Sequence, residues 1–161
     1  PAGVTLVVIK ESILNKISRE VPSMLNYSSY IRAGSMSNTP PVFAVYTTLL
    51  NLRWIEAQGG LEELDKLNKN KAELLYKEID RNSCFKGFAA NDDRSFMNAT
   101  FTLKDDNLSG EFNQIWERNN ISGLKGHRSV GGYRASMYNA LSFESVALLV
   151  RCMQEFEEKF K

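Results

Sequence analysis

Two arginines and the chain's only histidine lie in one glycine-rich segment, residues 126–139. His127 and Arg128 precede the pair Gly131-Gly132, and Arg134 follows it. An arginine guanidinium suits bidentate contact with a carboxylate or a phosphate, and paired glycines let the backbone approach a ligand closely. A ligand with a carboxylate at one end and a phosphate at the other needs two such donors held apart. The segment therefore predicts an anion-binding site. The alternative is a surface turn whose arginines pair with nearby acids.

A second candidate anion site precedes a long helical pattern, within residues 35–41. Asn38 and Thr39 come directly before Pro40-Pro41. Asparagine or threonine at this place commonly caps a helix, and the free amides of a helix start also attract anions. Capping alone accounts for Asn38 or Thr39, and a phosphate contact would be added to the cap.

The lysines of the chain do not show the setting of a Schiff-base residue, which would be a glycine-flanked loop beside an acid. Lys125, close to His127, is the nearest candidate, and we interpret it as an exposed lysine at a strand end. The sequence also contains no P-loop, GxGxxG motif or Ser/His/Asp arrangement. It therefore predicts no catalytic residue. We interpret the charges of the second long helix as a solvated face: Glu62, Glu63, Asp65, Lys66, Lys69 and Lys71.

The composition is that of an ordinary globular protein and excludes several classes of function. Of 161 residues, 43% are hydrophobic and 24% charged, and the formal net charge is +1. That charge gives no reason to expect nucleic acid or anionic membrane as a partner. A single histidine without a Cys/His cluster argues against a metal site, and no apolar stretch is long enough to span a bilayer. Cys84 and Cys152 are expected to be reduced thiols of a cytoplasmic protein.

Hydrophobic periodicity places these residues on a mixed set of elements. Strands are predicted at residues 4–9, 97–103 and 121–125, and helices at 10–20, from Pro40-Pro41 to Gly59-Gly60, at 61–81, at 108–119, and from an N-cap at Ser142 onward. Residues 21–39 are predicted to form a long loop. The fold class is therefore α/β, of the α+β sandwich kind, with a short sheet of two to four strands packed on helices. We expect residues 1–40 to be a strand and linker segment and residues 41–161 to be a small domain.

Several segments together resemble one enzyme family along essentially the whole chain. GHRSVGGYRASMYNA at residues 126–140 is the most specific, and SMSNTPP at 35–41 and PAGVTLVVIKESIL at 1–14 occur in the same order. They are similar to phosphoserine aminotransferases, which are class V, fold type I pyridoxal-phosphate enzymes. The resemblance implies the small C-terminal domain of that fold. It also implies amino transfer between glutamate and 3-phosphohydroxypyruvate, in serine biosynthesis and in some bacteria pyridoxine biosynthesis, by a cytoplasmic homodimer.

The resemblance also implies roles for individual residues. Asn38 and Thr39 would reach across the dimer to the phosphate of pyridoxal 5'-phosphate. Arg134 would bind the α-carboxylate of the substrate. His127 and Arg128 would bind the distal phosphate or the side-chain carboxylate of glutamate.

The family's Schiff-base lysine would come just before Pro1, and the chain opens inside a turn that leads into a buried-strand pattern. We therefore expect these residues to be a C-terminal fragment that is inactive alone. Two alternatives remain open at this point: another class V aminotransferase, and a stand-alone domain that binds a phosphorylated metabolite.

Overall fold

The structure is a computed structural model that describes residues 3–14, 16–126 and 131–161. The described residues form five α-helices: α1 (Tyr27–Arg32), α2 (Val42–Ala57), α3 (Gly60–Arg81), α4 (Ser109–Arg118) and α5 (Phe143–Phe160). They also form three strands: β1 (Phe85–Gly87), β2 (Asn98–Leu103) and β3 (Tyr133–Ser136). The chain divides into two units, an N-terminal unit that ends at Ala57 and a C-terminal unit that begins at Gln58.

The C-terminal unit is built on an antiparallel sheet in the order β1-β2-β3. In the register, Phe85 lies opposite Leu103, and Thr100 lies opposite Arg134. β2 alternates between buried and half-buried residues, as a strand with one covered face must. The predicted α+β class with a short sheet on helices is confirmed, and the predicted strand at 97–103 corresponds to β2.

Aromatic rings fill the space between the sheet and the helices of the C-terminal unit. Phe112 of α4 makes edge contacts with Phe85, Tyr133 and Phe156, with ring centroids 4.9, 5.0 and 5.3 Å away. Phe101 of β2 stacks on Tyr133 at 5.4 Å. Such contacts add to the free energy of apolar burial, and here they tie β3 to β2 and α4.

The long helices follow from the periodicity and from residues at their ends. α3 presents Leu64, Leu75 and Ile79 to the core, and it begins after Gly59, whose φ of 95° suits glycine. α5 is capped as predicted, since the Oγ of Ser142 accepts a hydrogen bond from the amide of Ser145 at 3.2 Å.

Short strands and turns were predicted less well. β1 and β3, of three and four residues, were not predicted. The strand predicted at 121–125 was wrong, because only Lys125 forms an isolated bridge, with Tyr133.

The N-terminal unit differs most from the prediction. Its residues 4–9 pair with no strand among the described residues and are largely exposed, and the helix predicted at 10–20 is one short 3-10 turn, Glu11–Ile13. The predicted loop 21–39 contains α1. The predicted domain boundary at 40/41 stays a prediction, although the division after Ala57 places α2 with the N-terminal unit.

Candidate functional site

The glycines of the predicted anion-binding segment bring its backbone at Gly126 close to its backbone at Gly131 and Gly132. The Gly126 amide donates to the Gly132 carbonyl at 2.8 Å, and a Cβ on Gly126 would lie only 2.1 Å from the Gly131 carbonyl oxygen. Gly132 has a φ of 63°, and a Cβ there would lie 2.8 Å from the carbonyl oxygen of Phe101. Only glycine fits this close backbone approach. The approach is to the chain's own backbone, and the close approach to a ligand stays a prediction. His127 and Arg128 lie outside the described residues.

Arg134 is the one predicted substrate ligand that the structure describes. It occupies β3 between Tyr133 and Ala135, which are buried, while Arg134 itself is exposed. Its amide donates to the Leu124 carbonyl at 2.7 Å, so the backbone is held on the outer side of the strand too. None of the ion pairs formed by the described residues includes Arg134. Within the described part of the chain, the alternative of a surface arginine paired with an acid is therefore not supported.

Arg134 borders a cleft of about 280 Å³ between β3, residues 120–124 and the start of α5. Three serines also line it: Ser122, Ser136 and Ser145. Hydroxyls and a guanidinium are donors suited to a small anion, whereas the remaining wall is largely apolar. The cleft can thus hold one end of a small anionic molecule.

Tyr133, next to Arg134, anchors the strand. Its hydroxyl donates to Oδ1 of Asn113 on α4 at 3.2 Å. Burial, with the nearby charge of Asp106, raises the pKa of Tyr133 to about 12, so it stays neutral and remains a donor. The exposed arginine therefore stands on a strand whose neighbouring side chain is fixed in the core.

The predicted cofactor-phosphate residues belong to the N-terminal unit. α2 begins at Val42, and the Val45 amide donates to the Pro41 carbonyl at 3.0 Å. The interpretation of Asn38 or Thr39 as the helix cap was therefore wrong, because Pro41 holds that place. The Nδ2 of Asn38 donates to the Thr39 carbonyl at 3.1 Å, and both residues are exposed. Their polar side chains remain accessible to a ligand.

Lys125 and Lys71 differ in their exposure to solvent. Lys125 is exposed as interpreted, with Nζ 3.8 Å from Oε1 of Glu117. Lys71 is not part of a solvated face: it is fully buried, so that interpretation was wrong. Helical spacing could have shown this, since Lys71 lies seven residues after Leu64 and four before Leu75, both core residues.

The described residues include neither a metal-binding cluster nor a membrane-spanning helix. No group of three or more His, Cys, Asp or Glu side chains in that part of the chain could hold a metal ion. No helix described by the structure is long and apolar enough to cross a membrane.

Comparison with known proteins gives one consistent family. Residues 1–149 match the class-V aminotransferase family. The phosphoserine aminotransferase of Flavobacterium psychrophilum is 57% identical over 159 residues, which are 99% of this chain and 45% of that protein. The chain thus spans less than half the length of the curated relatives it matches.

Solved structures agree. The phosphoserine aminotransferase of Bacillus circulans subsp. alkalophilus matches with a TM-score of 0.81 and 44% identity, over 88% of this chain and 39% of that one. The PLP-bound phosphoserine aminotransferase of Trichomonas vaginalis matches with a TM-score of 0.75 and 38% identity, over 83% of this chain and 39% of that one. The matched part of this chain therefore shares the fold of the corresponding part of these proteins.

Proposed function

The chain belongs to the class-V aminotransferase family, and from that premise we propose that it supplies the substrate-anion ligands of a phosphoserine aminotransferase. The reaction moves an amino group between L-glutamate and 3-phosphohydroxypyruvate, giving O-phospho-L-serine and 2-oxoglutarate. Each of these molecules carries at least one carboxylate, and two of them also carry a phosphate. The observation that carries the proposal is that Arg134 is exposed on β3 and forms no ion pair with another described residue.

Arg134 binds the α-carboxylate in this proposal. Its flanking residues are fixed in the core, so little backbone freedom is lost when a carboxylate binds. A bidentate pair between guanidinium and carboxylate is both strong and directional. His127 and Arg128 bind the distal phosphate or the side-chain carboxylate of glutamate. That role rests on the family resemblance, since neither residue is described.

The cofactor proposed is pyridoxal 5'-phosphate, with Asn38 and Thr39 as contacts to its phosphate. The observation that supports the fit is that both side chains are exposed and offer an amide and a hydroxyl. When bound, pyridoxal phosphate supplies the electron sink for moving the amino group. The contribution of this chain is to bind and orient: Asn38 and Thr39 toward the cofactor phosphate, and Arg134 toward the substrate carboxylate.

Three further properties of the proposal rest on the family resemblance: a cytoplasmic location, a homodimer and a second role in pyridoxine biosynthesis. The dimer bears on the site, because Asn38 and Thr39 are proposed to serve the cofactor of the partner subunit. We also keep residues 41–161 as the proposed small domain. Sedimentation equilibrium tests the dimer, and a monomer at all concentrations would remove the proposed cross-subunit contact.

The test of the Arg134 role is calorimetric titration of the chain with two ligands. O-phosphoserine carries the carboxylate, whereas phosphoethanolamine lacks it and keeps the phosphate and the amine. Arg134→Ala should weaken phosphoserine binding by about 10- to 100-fold, since a charged hydrogen bond is worth about 1.5–3 kcal/mol. Phosphoethanolamine binding should not change. Arg128→Ala should instead weaken both ligands, because it removes a phosphate contact.

The matched control is Arg151→Ala, which removes an exposed arginine from α5. It should leave both affinities unchanged. Equal phosphoserine affinity in Arg134→Ala and the unchanged chain would refute the carboxylate role of Arg134.

A further inference from the structure

Lys71 is a buried cation with an unusual set of partners. Its side chain lies in the middle of α3 and is 0% exposed. The Nζ donates to the carbonyl oxygens of Met137, Tyr138 and Leu141 at 3.1, 3.0 and 3.0 Å. None of the ion pairs among the described residues includes Lys71. An ammonium has three N–H donors, and here each has a backbone acceptor.

Burying the Lys71 ammonium costs free energy, which its hydrogen bonds to the three carbonyls have to offset. Loss of solvation disfavours the charged form and lowers the pKa of Lys71. The three carbonyls, in turn, have to be satisfied if they are to stay away from water. An apolar side chain at position 71 would remove one donor from each of the three, although the Tyr138 carbonyl would keep the Leu141 amide, which donates to it at 2.9 Å. The lysine and the turn of residues 137–141 are therefore matched to each other.

The turn is the direct continuation of β3, the strand that carries Arg134. β3 ends at Ser136, and the Met137 amide still donates to Met97 across the sheet at 2.7 Å. A second side chain of α3 holds the same turn, because Nδ2 of Asn68 donates to Oδ1 of Asn139 at 2.8 Å. Lys71 therefore fixes the chain between the end of β3 and the cap of α5.

We propose that Lys71 is a positioning residue that locks residues 137–141 against α3 and thereby holds Arg134 in place for a carboxylate. The part that concerns Arg134 rests on the function proposed above. The part that concerns the turn does not.

The first experiment measures the turn itself. Amide hydrogen exchange at Met137 and Leu141 is followed in the unchanged chain and in Lys71→Met, which keeps the side-chain length but removes all donors. Exchange at these amides should become about tenfold faster or more, beyond any change set by global stability. The control is Lys77→Met, the same substitution at an exposed position of α3, which should leave exchange unchanged. No selective acceleration in Lys71→Met would overturn the proposal.

A second variant tests whether the N–H donors matter, and it stays informative if Lys71→Met folds poorly. Lys71→Ala removes three side-chain carbons and the ammonium, which together correspond to a propylammonium ion. Added propylammonium should therefore restore slow amide exchange at Met137 and Leu141, or raise the urea midpoint of Lys71→Ala toward that of the unchanged chain. Tetramethylammonium has the same charge but no N–H donor, and it should restore neither. Equal effects of the two ions, or no effect of either, would contradict the donor role.

The third experiment separates positioning from general destabilisation. Lys71→Met should weaken phosphoserine binding about tenfold while phosphoethanolamine binding is unchanged, because only the carboxylate contact depends on Arg134. Equal weakening of both ligands, or weakening of neither, would overturn the link to Arg134. If the unchanged chain binds neither ligand, the proposed function of Arg134 fails, and hydrogen exchange alone then decides the role of Lys71.

Discussion

Glu157 provides the sharpest prediction about stability. This carboxylate of α5 is 9% exposed and accepts hydrogen bonds from the Ser83 amide at 2.7 Å and from Nη1 of Arg81 at 2.9 Å. These contacts, the Ser83 amide above all, lower the pKa of Glu157 from 4.5 to about 2. A group whose pKa is lower in the folded state stabilises the fold above its unfolded pKa. That contribution is lost as the pH falls from about 4.5 toward 2.

The magnitude follows from the two pKa values. Their difference corresponds to about 3 kcal/mol as an upper limit, since each pH unit is worth about 1.4 kcal/mol. The Arg81 side chain is 46% exposed, so solvent screens its part of the interaction. We therefore expect Glu157→Gln to lower the free energy of unfolding at pH 7 by about 1–2 kcal/mol.

The assay is urea unfolding of the two chains at pH 7, 5, 4 and 3.5. The difference in unfolding free energy should be constant from pH 7 to 5 and then shrink, because below its pKa of 4.5 Glu157 takes up a proton in the unfolded chain while it stays ionised in the folded chain. Glu158→Gln, at the adjacent exposed position, is the matched control and should show little difference at any pH. A Glu157→Gln effect that is the same at pH 7 and pH 3.5 would refute the reasoning.

Two further predictions concern the fold and the reaction. Gly132→Ala should destabilise the C-terminal unit by about 2 kcal/mol or more in urea unfolding, because of its φ of 63° and the contact with the Phe101 carbonyl. Gly110→Ala in α4, where a Cβ meets nothing within 4 Å, should instead be neutral or stabilising by up to about 1 kcal/mol, and the opposite order would contradict the structure. The 161 residues alone, mixed with pyridoxal phosphate, glutamate and 3-phosphohydroxypyruvate, should form no phosphoserine by chromatographic assay, and robust turnover would disprove this expectation.

Periodicity predicted α3, α5 and β2 because the free energy of each comes from a repeated apolar face. α3 and α5 each bury a stripe at helical spacing, and β2 alternates, so their patterns are visible in the sequence. β1 and β3 are too short for a pattern, and only pairing with β2 defines them. Residues 4–9 have the pattern of a strand, because they are apolar and β-branched, but they do not form one. A strand needs a partner to pair with, and the described residues provide none.

The candidate site could be predicted only in part, for a similar reason. Residue type indicated Arg134, and the Gly131-Gly132 pair indicated a close backbone approach to a ligand, since both are local properties. The approach of Gly126 to the backbone of Gly131 and Gly132 was not predicted. The role of Lys71 is not local, because its partners lie more than sixty residues further along the chain. A lysine considered by itself is expected to lie on the surface. For Lys71, only its position within the buried stripe of α3 contradicts that expectation.

Lys71 and Glu157 together show what fixes α3 in the C-terminal unit. The buried stripe of α3 is apolar between Lys71 and Glu78, and apolar contacts, which are non-directional, tolerate a small shift along a helix. The polar contacts do not tolerate it, because a shift of one turn would leave the ammonium without its carbonyls. Near the C-terminal end of α3, Glu78 accepts hydrogen bonds from Arg81 and Asn82, and Arg81 in turn contacts Glu157. A buried charge without partners costs more than a lost apolar contact. The register of α3 against α5 and the turn after β3 is therefore set by polar groups in the middle and near the C-terminal end of the helix, and the position of Arg134 follows from that register.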